Sequence, residues 1–79
     1  MTKVPTDLRW MSTQTCWYTQ LDENRQRFII NRQPGPAERF TLEQVRSPRN
    51  HRLRHTTVRQ LRNIKTLAEA KRIAAEDWS

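Results

Sequence analysis

The chain has 79 residues, enough for one domain with a modest core and too few for a deep metabolite cleft. Fifteen Lys and Arg stand against eight Asp and Glu, a formal net charge of +7, and twelve of the fifteen cations are arginine. Hydrophobic residues make up only 34% of the chain, but three Trp, two Phe and one Tyr bring large buried area per residue, which favours a folded centre and C-terminus over disorder.

Residues 1–14 read as a flexible N-terminal segment and residues 15–79 as a single small domain. Met1 to Trp10 has no apolar run of the kind a signal peptide needs, and no stretch approaches the roughly 18 to 20 apolar residues that span a bilayer. The single Cys16 allows no internal disulfide, so the expected location is the cytoplasm, with no membrane association. Thr15 to Leu21 is rich in β-branched and aromatic residues, Asp22 to Arg25 is a polar turn, and Gln26 to Arg32 resumes the pattern, which predicts a hairpin. Alternation puts Trp17, Thr19 and Leu21 on one face with Phe28 and Ile30, while Arg27, Ile29 and Asn31 point the other way. Gln33 to Glu38 breaks the run with two prolines and Gly35, and a third strand follows over about Arg39 to Val45, with Phe40 and Leu42 on its apolar side.

Arg46 to His51 reads as a turn. Arg52 to Leu61 is ambiguous: Thr56, Thr57 and Val58 favour a strand, yet Leu53, Val58 and Leu61 sit at spacings of five and three, and the same letters make a helix. Thr66-Leu67-Ala68-Glu69 is a capping box, with Leu67, Ala70, Ala74 and Trp78 forming an apolar stripe that Ile73 widens, so a helix is expected over Leu67 to Asp77. On its solvent side Glu69 faces Arg72, and Arg72 faces Glu76. The fold class that follows is α+β, a three- or four-stranded antiparallel sheet with one C-terminal helix packed on one face. Trp78 is expected to pack the helix end on the sheet, and Trp10 to clasp the N-terminal segment.

The charge is not spread evenly. Residues 25–65 hold eleven Lys or Arg against Glu38 and Glu43, a balance of +9, whereas residues 1–24 and 66–79 each sum to −1. Arginine's planar fork of donors matches phosphate oxygens and guanine edges bidentately, so the middle segment points to nucleic acid, DNA over RNA. The binding candidates are Arg25, Arg27, Arg32, Arg49, Arg52, Arg54, Arg59 and Arg62, on the uncovered sheet face and its loops. An acidic host protein is the alternative partner, because it attracts the same charges. The expected state is a monomer or weak dimer.

Catalysis has little to build on. His51 and His55 are four apart with no Cys, Asp or Glu beside them, Cys16 reads as a small buried or half-buried hydrophobe, and one glycine cannot make a phosphate loop. No enzyme activity, cofactor or metal is expected.

Strands followed by Ile64-Lys65-Thr66-Leu67-Ala68-Glu69-Ala70-Lys71 resemble the small N-terminal DNA-binding domains of tyrosine recombinases, the arm-type and AP2-like modules, in which a three-stranded sheet precedes a helix opening F-x-T-x-x-E-A. The same opening is similar to that of short bacteriophage proteins. The resemblance covers strand order and the helix start, with Ile64 in place of the aromatic. It implies a sheet that enters the major groove, placing Arg27, Ile29, Arg52, Arg54 and Arg59 against DNA, in an accessory binder rather than a recombinase. The alternative function is a bacteriophage-type inhibitor that docks its basic surface on a host protein.

Overall fold

The computed structural model describes residues 9–48 and 55–78. Five antiparallel strands follow one another in chain order: β1 (Trp10–Ser12), β2 (Cys16–Thr19), β3 (Gln26–Gln33), β4 (Arg39–Arg46) and β5 (Thr56–Ile64). A helix, α1 (Leu67–Arg72), continues into a π-helical turn over Ile73–Asp77. The class is α+β as expected, but the sheet has five strands rather than three or four. The extra strand is β1, whose Trp10, Met11 and Ser12 pair with Thr19, Tyr18 and Trp17. Three residues are too few to show an alternating pattern, so nothing in the letters marks this strand.

The turns follow from short polar side chains. Thr13 ends β1 by accepting hydrogen bonds at its hydroxyl from the backbone N–H of Thr15 (3.3 Å) and Cys16 (3.1 Å), closing the first hairpin. In the second, the Asp22 carboxylate accepts from the N–H of Asn24 (2.8 Å) and Gln26 (2.9 Å), and Arg25 takes the left-handed conformation at φ 60°. Phe28 N–H donates to the Thr19 hydroxyl at 3.0 Å, so a buried side chain serves as acceptor where β2 ends.

The core lies on one side of the sheet. Ile30 and Leu42 face each other across β3 and β4 and are both fully buried (0% exposed). Phe40, Ile64, Ala70, Ile73 and Ala74 complete the buried cluster, and Trp10, Trp17, Phe28, Leu67 and Trp78 pack around it half-buried. The face assigned by alternation to Trp17, Thr19, Phe28 and Ile30 is this one. Leu21 falls beyond β2 and is exposed.

The helix begins where the capping box places it, with the Thr66 hydroxyl accepting from Glu69 N–H at 3.1 Å. Its last turn is wider than an α-turn, since Trp78 N–H donates to the Ile73 carbonyl at 3.0 Å, an i to i+5 bond. The extra residue in the turn alters which side chains align. Arg72 therefore pairs with Asp77 (3.9 Å) rather than with Glu76, and the Trp78 ring comes to 6.3 Å from that of Phe28 on β3.

Strand β5 is the long edge of the sheet and is irregular. Phe40 pairs with Ile64 but Leu42 with Leu61, and Gln44 pairs with Arg59 but Val45 with Thr57, so β5 carries one extra residue at each of two places. At the first, Asn63 is left-handed (φ 62°) and is held by Gln33, whose side-chain oxygen accepts from Asn63 N–H at 2.6 Å and whose amide donates to Asn63 Oδ1 at 3.3 Å. At the second, Val58 is the extra residue and stands exposed. Of the segment expected from Arg52, the structure describes only residues from His55 onward, and Thr56 to Ile64 is strand, not helix.

Two substitutions grade the core against the cap. Leu42→Ala should cost about 3 to 5 kcal/mol by opening a cavity at the sheet centre, and Thr66→Ala about 1 kcal/mol by removing one helix cap. Urea unfolding measures both, and equal losses would contradict this packing.

Candidate nucleic-acid interface

The helix covers one face, so alternation decides what the other displays. Met11, Tyr18, Ile29, Glu43 and Gln60 form one row across all five strands. Cys16, Asn31 and Thr41 form a second row, and Arg27, Val45 and Thr57 a third. This face mixes amides, hydroxyls, a cation, a carboxylate and a phenol with the apolar Met11, Ile29 and Val45, and of these Thr41 and Val45 are buried. Between β3 and β5 it holds a groove of about 370 Å³ lined by Asn31, Arg32, Gln33, Pro34, Thr41, Glu43, Gln60 and Arg62.

The eight candidate arginines do not share one surface. Arg27 and Arg62 stand on the uncovered face, and Arg39, whose guanidinium donates to the Glu38 carbonyl at 2.8 Å, starts β4 on that side. The Arg27 guanidinium lies 5.9 Å from the centre of the Tyr18 ring, and its buried Nε has no hydrogen-bond partner among the described residues. Arg59 serves the helix side instead, and Arg32 holds its guanidinium there although it also lines the groove. Arg32 sits 5.7 Å from the Trp17 ring and 6.0 Å from the Phe40 ring, with Glu38 at 3.9 Å, and Arg59 sits 5.1 Å from the Trp78 ring. Arg49, Arg52 and Arg54, and His51, lie outside the described residues.

Arg25 has a mechanical task. Its Nε donates to the Ser47 carbonyl (3.2 Å) and its Nη2 to the Pro48 carbonyl (2.9 Å), while Ser47 N–H donates back to the Arg25 carbonyl (2.7 Å). The β2–β3 turn is thereby bolted to the exit of β4, beside an open hollow of about 530 Å³ that Arg46 also lines.

Sequence reasoning left out Thr41, Glu43 and Gln60 as interface residues; Thr41 and Glu43 alternate with the inward Phe40 and Leu42, whereas the irregular register of β5 hid Gln60. Asn31 was placed outward but not nominated. Among the described residues no three His, Cys, Asp or Glu come together to hold a metal ion, and no helix is long and apolar enough to cross a membrane. Cys16 is half-buried with its sulfur 3.3 Å from the Thr13 hydroxyl. No protein-family model, no curated protein and no solved structure matches the chain.

The bolt can be separated from the backbone strain beneath it. Arg25→Ala should destabilise the fold by about 1 to 3 kcal/mol through the lost charge-assisted hydrogen bonds. Arg25→Gly should be milder by about 1 kcal/mol, because glycine adopts positive φ without steric cost. Thermal unfolding of both variants orders them; a glycine variant less stable than the alanine variant would contradict this account.

Proposed function

We propose that the protein binds duplex DNA through the uncovered face of its sheet, with Arg27 and Arg62 as principal contacts and Asn31, Gln60 and Tyr18 on the same face. The observation that carries this reading is the groove on that face, where amides, hydroxyls and a guanidinium converge in a segment of charge +9. Cations on loops and strand ends hold phosphates and set orientation, while amides and guanidinium forks on the face address base edges. B-form DNA displays those edges in a major groove about 12 Å wide, whereas duplex RNA hides them in a deep, narrow one, which favours DNA. The strand order and the Thr66-capped helix, on which the resemblance to recombinase DNA-binding modules rests, support the same reading.

Fluorescence anisotropy with a labelled duplex tests the proposal. The dissociation constant should rise about tenfold or more between roughly 50 and 200 mM salt, as counterion release demands. Arg27→Gln with Arg62→Gln should weaken binding about tenfold or more, and Arg59→Gln with Lys71→Gln, which removes the same charge from the helix side, about threefold or less. Equal losses would remove the uncovered face from the interface. Absence of binding at low salt, with an acidic protein captured after nuclease treatment, would favour a protein partner.

A further inference from the structure

Glu43 stands in the middle of the proposed DNA-binding face. It lies between Ile29 and Gln60 in the register, lines the same groove as Arg62 and is half-buried. The ion pairs among the described residues are Arg32–Glu38 and Arg72–Asp77, so none of the described cations neutralises Glu43 within 4.0 Å. A carboxylate that no described cation neutralises, on a surface offered to a polyanion, repels phosphate and lowers affinity for every duplex alike. It becomes favourable only where the nucleic acid presents a donor.

In the major groove the donors are the amino groups of cytosine N4 and adenine N6. Arg62, lining the same groove, narrows the choice. Its fork takes two acceptors, which guanine supplies as O6 and N7, whereas the thymine partner of adenine offers O4 alone beside a methyl group. We infer that Glu43 is a specificity-determining residue, accepting from the cytosine amino group of a G·C pair whose guanine takes the Arg62 fork. This inference rests on the proposed binding of duplex DNA by the same face.

The test uses the full chain and three duplexes of equal length at one salt concentration: one with G·C pairs, one of A·T pairs only, and one with inosine·cytosine in place of G·C. Inosine keeps guanine's major-groove atoms and lacks the minor-groove amine, so it isolates the groove being read. Wild type should bind the G·C and inosine·cytosine duplexes equally, about tenfold more tightly than A·T. Glu43→Gln should bind the A·T duplex several-fold more tightly than wild type does and hold a preference of about twofold or less. Arg62→Lys, which keeps the charge and loses the fork, should lower the preference with A·T affinity unchanged, and so tests the pairing even if Glu43→Gln is poorly folded. An inosine·cytosine duplex that behaves like A·T, or an undiminished preference in both variants, would overturn the inference and leave DNA binding standing. A wild type that binds none of the three would overturn both.

Discussion

A helix of six residues extended by one wide turn can cover one face of a five-stranded sheet and no more, and most of this structure follows from that limit. The covered face gathers the residues that must leave water: Ile30 against Leu42 at the centre, with Phe40, Ile64 and three helix residues around them. Each large aliphatic fully buried there contributes about 1.5 to 3 kcal/mol, so this one contact surface supplies most of the apolar stabilisation a chain of this size can gather. Among the described residues no helix covers the opposite face, and its rows run largely through polar side chains, Tyr18, Asn31, Glu43 and Gln60, with Val45 and Thr41 buried among their neighbours.

The same limit leaves the border of the core incomplete. Trp10, Trp17, Phe28 and Trp78 are too large for so short a helix to seal, and each is only half-buried. Cations with long apolar stems cover three of these indoles: Lys71 over Trp10, Arg32 over Trp17 and Arg59 over Trp78, at 5.1 to 5.9 Å. Such contacts are worth about 0.5 to 1 kcal/mol each where solvent reaches them. Part of the basic surplus therefore belongs to the fold. With Arg25 fastening two loops, a high arginine count in a small domain overstates the number of residues free to meet a partner.

What was legible in the sequence is what local chemistry determines. The capping box placed Thr66 at the helix start, and period-two alternation assigned Trp17, Phe28, Ile30, Phe40 and Leu42 to the covered face. Non-local geometry stayed hidden. The uneven spacing that left a helix open for residues 52–61 beside the favoured strand has its counterpart in the two extra residues of β5, at Val58 and near Asn63, since a bulge breaks the alternation that identifies a strand. Leu61 and Ile64 are three apart and still share the covered side. Which face each arginine takes was equally invisible, because Arg59 and Arg62 belong to one run of charge and are assigned to the helix side and the groove only once Leu61 is registered on Leu42. Glu43 was read as a minor offset in a charge sum, and only the sheet puts it at the centre of a face.

Those irregularities in β5 bear on solubility and on recognition together. A nine-residue edge strand with exposed Val58 and Leu61 is a template for a second chain. Here the extra residues break the register with β4 into short runs, Thr56–Thr57 and Arg59–Leu61, and the arginines at 59 and 62 add like charge along a paired edge. The strand is thus discouraged from joining another sheet by backbone shape and by charge. The shift near Asn63, held in place by the Gln33 amide, is also what sets Arg62 over the groove while Leu61 and Ile64 stay on the helix side. Straightening β5 would place Leu61 and Ile64 on opposite faces, and one of them would leave the covered side. The feature that keeps the edge from self-association is therefore inseparable from the one that presents a guanidinium beside Glu43, and the recognition surface proposed here depends on a defect in the sheet rather than on its regular part.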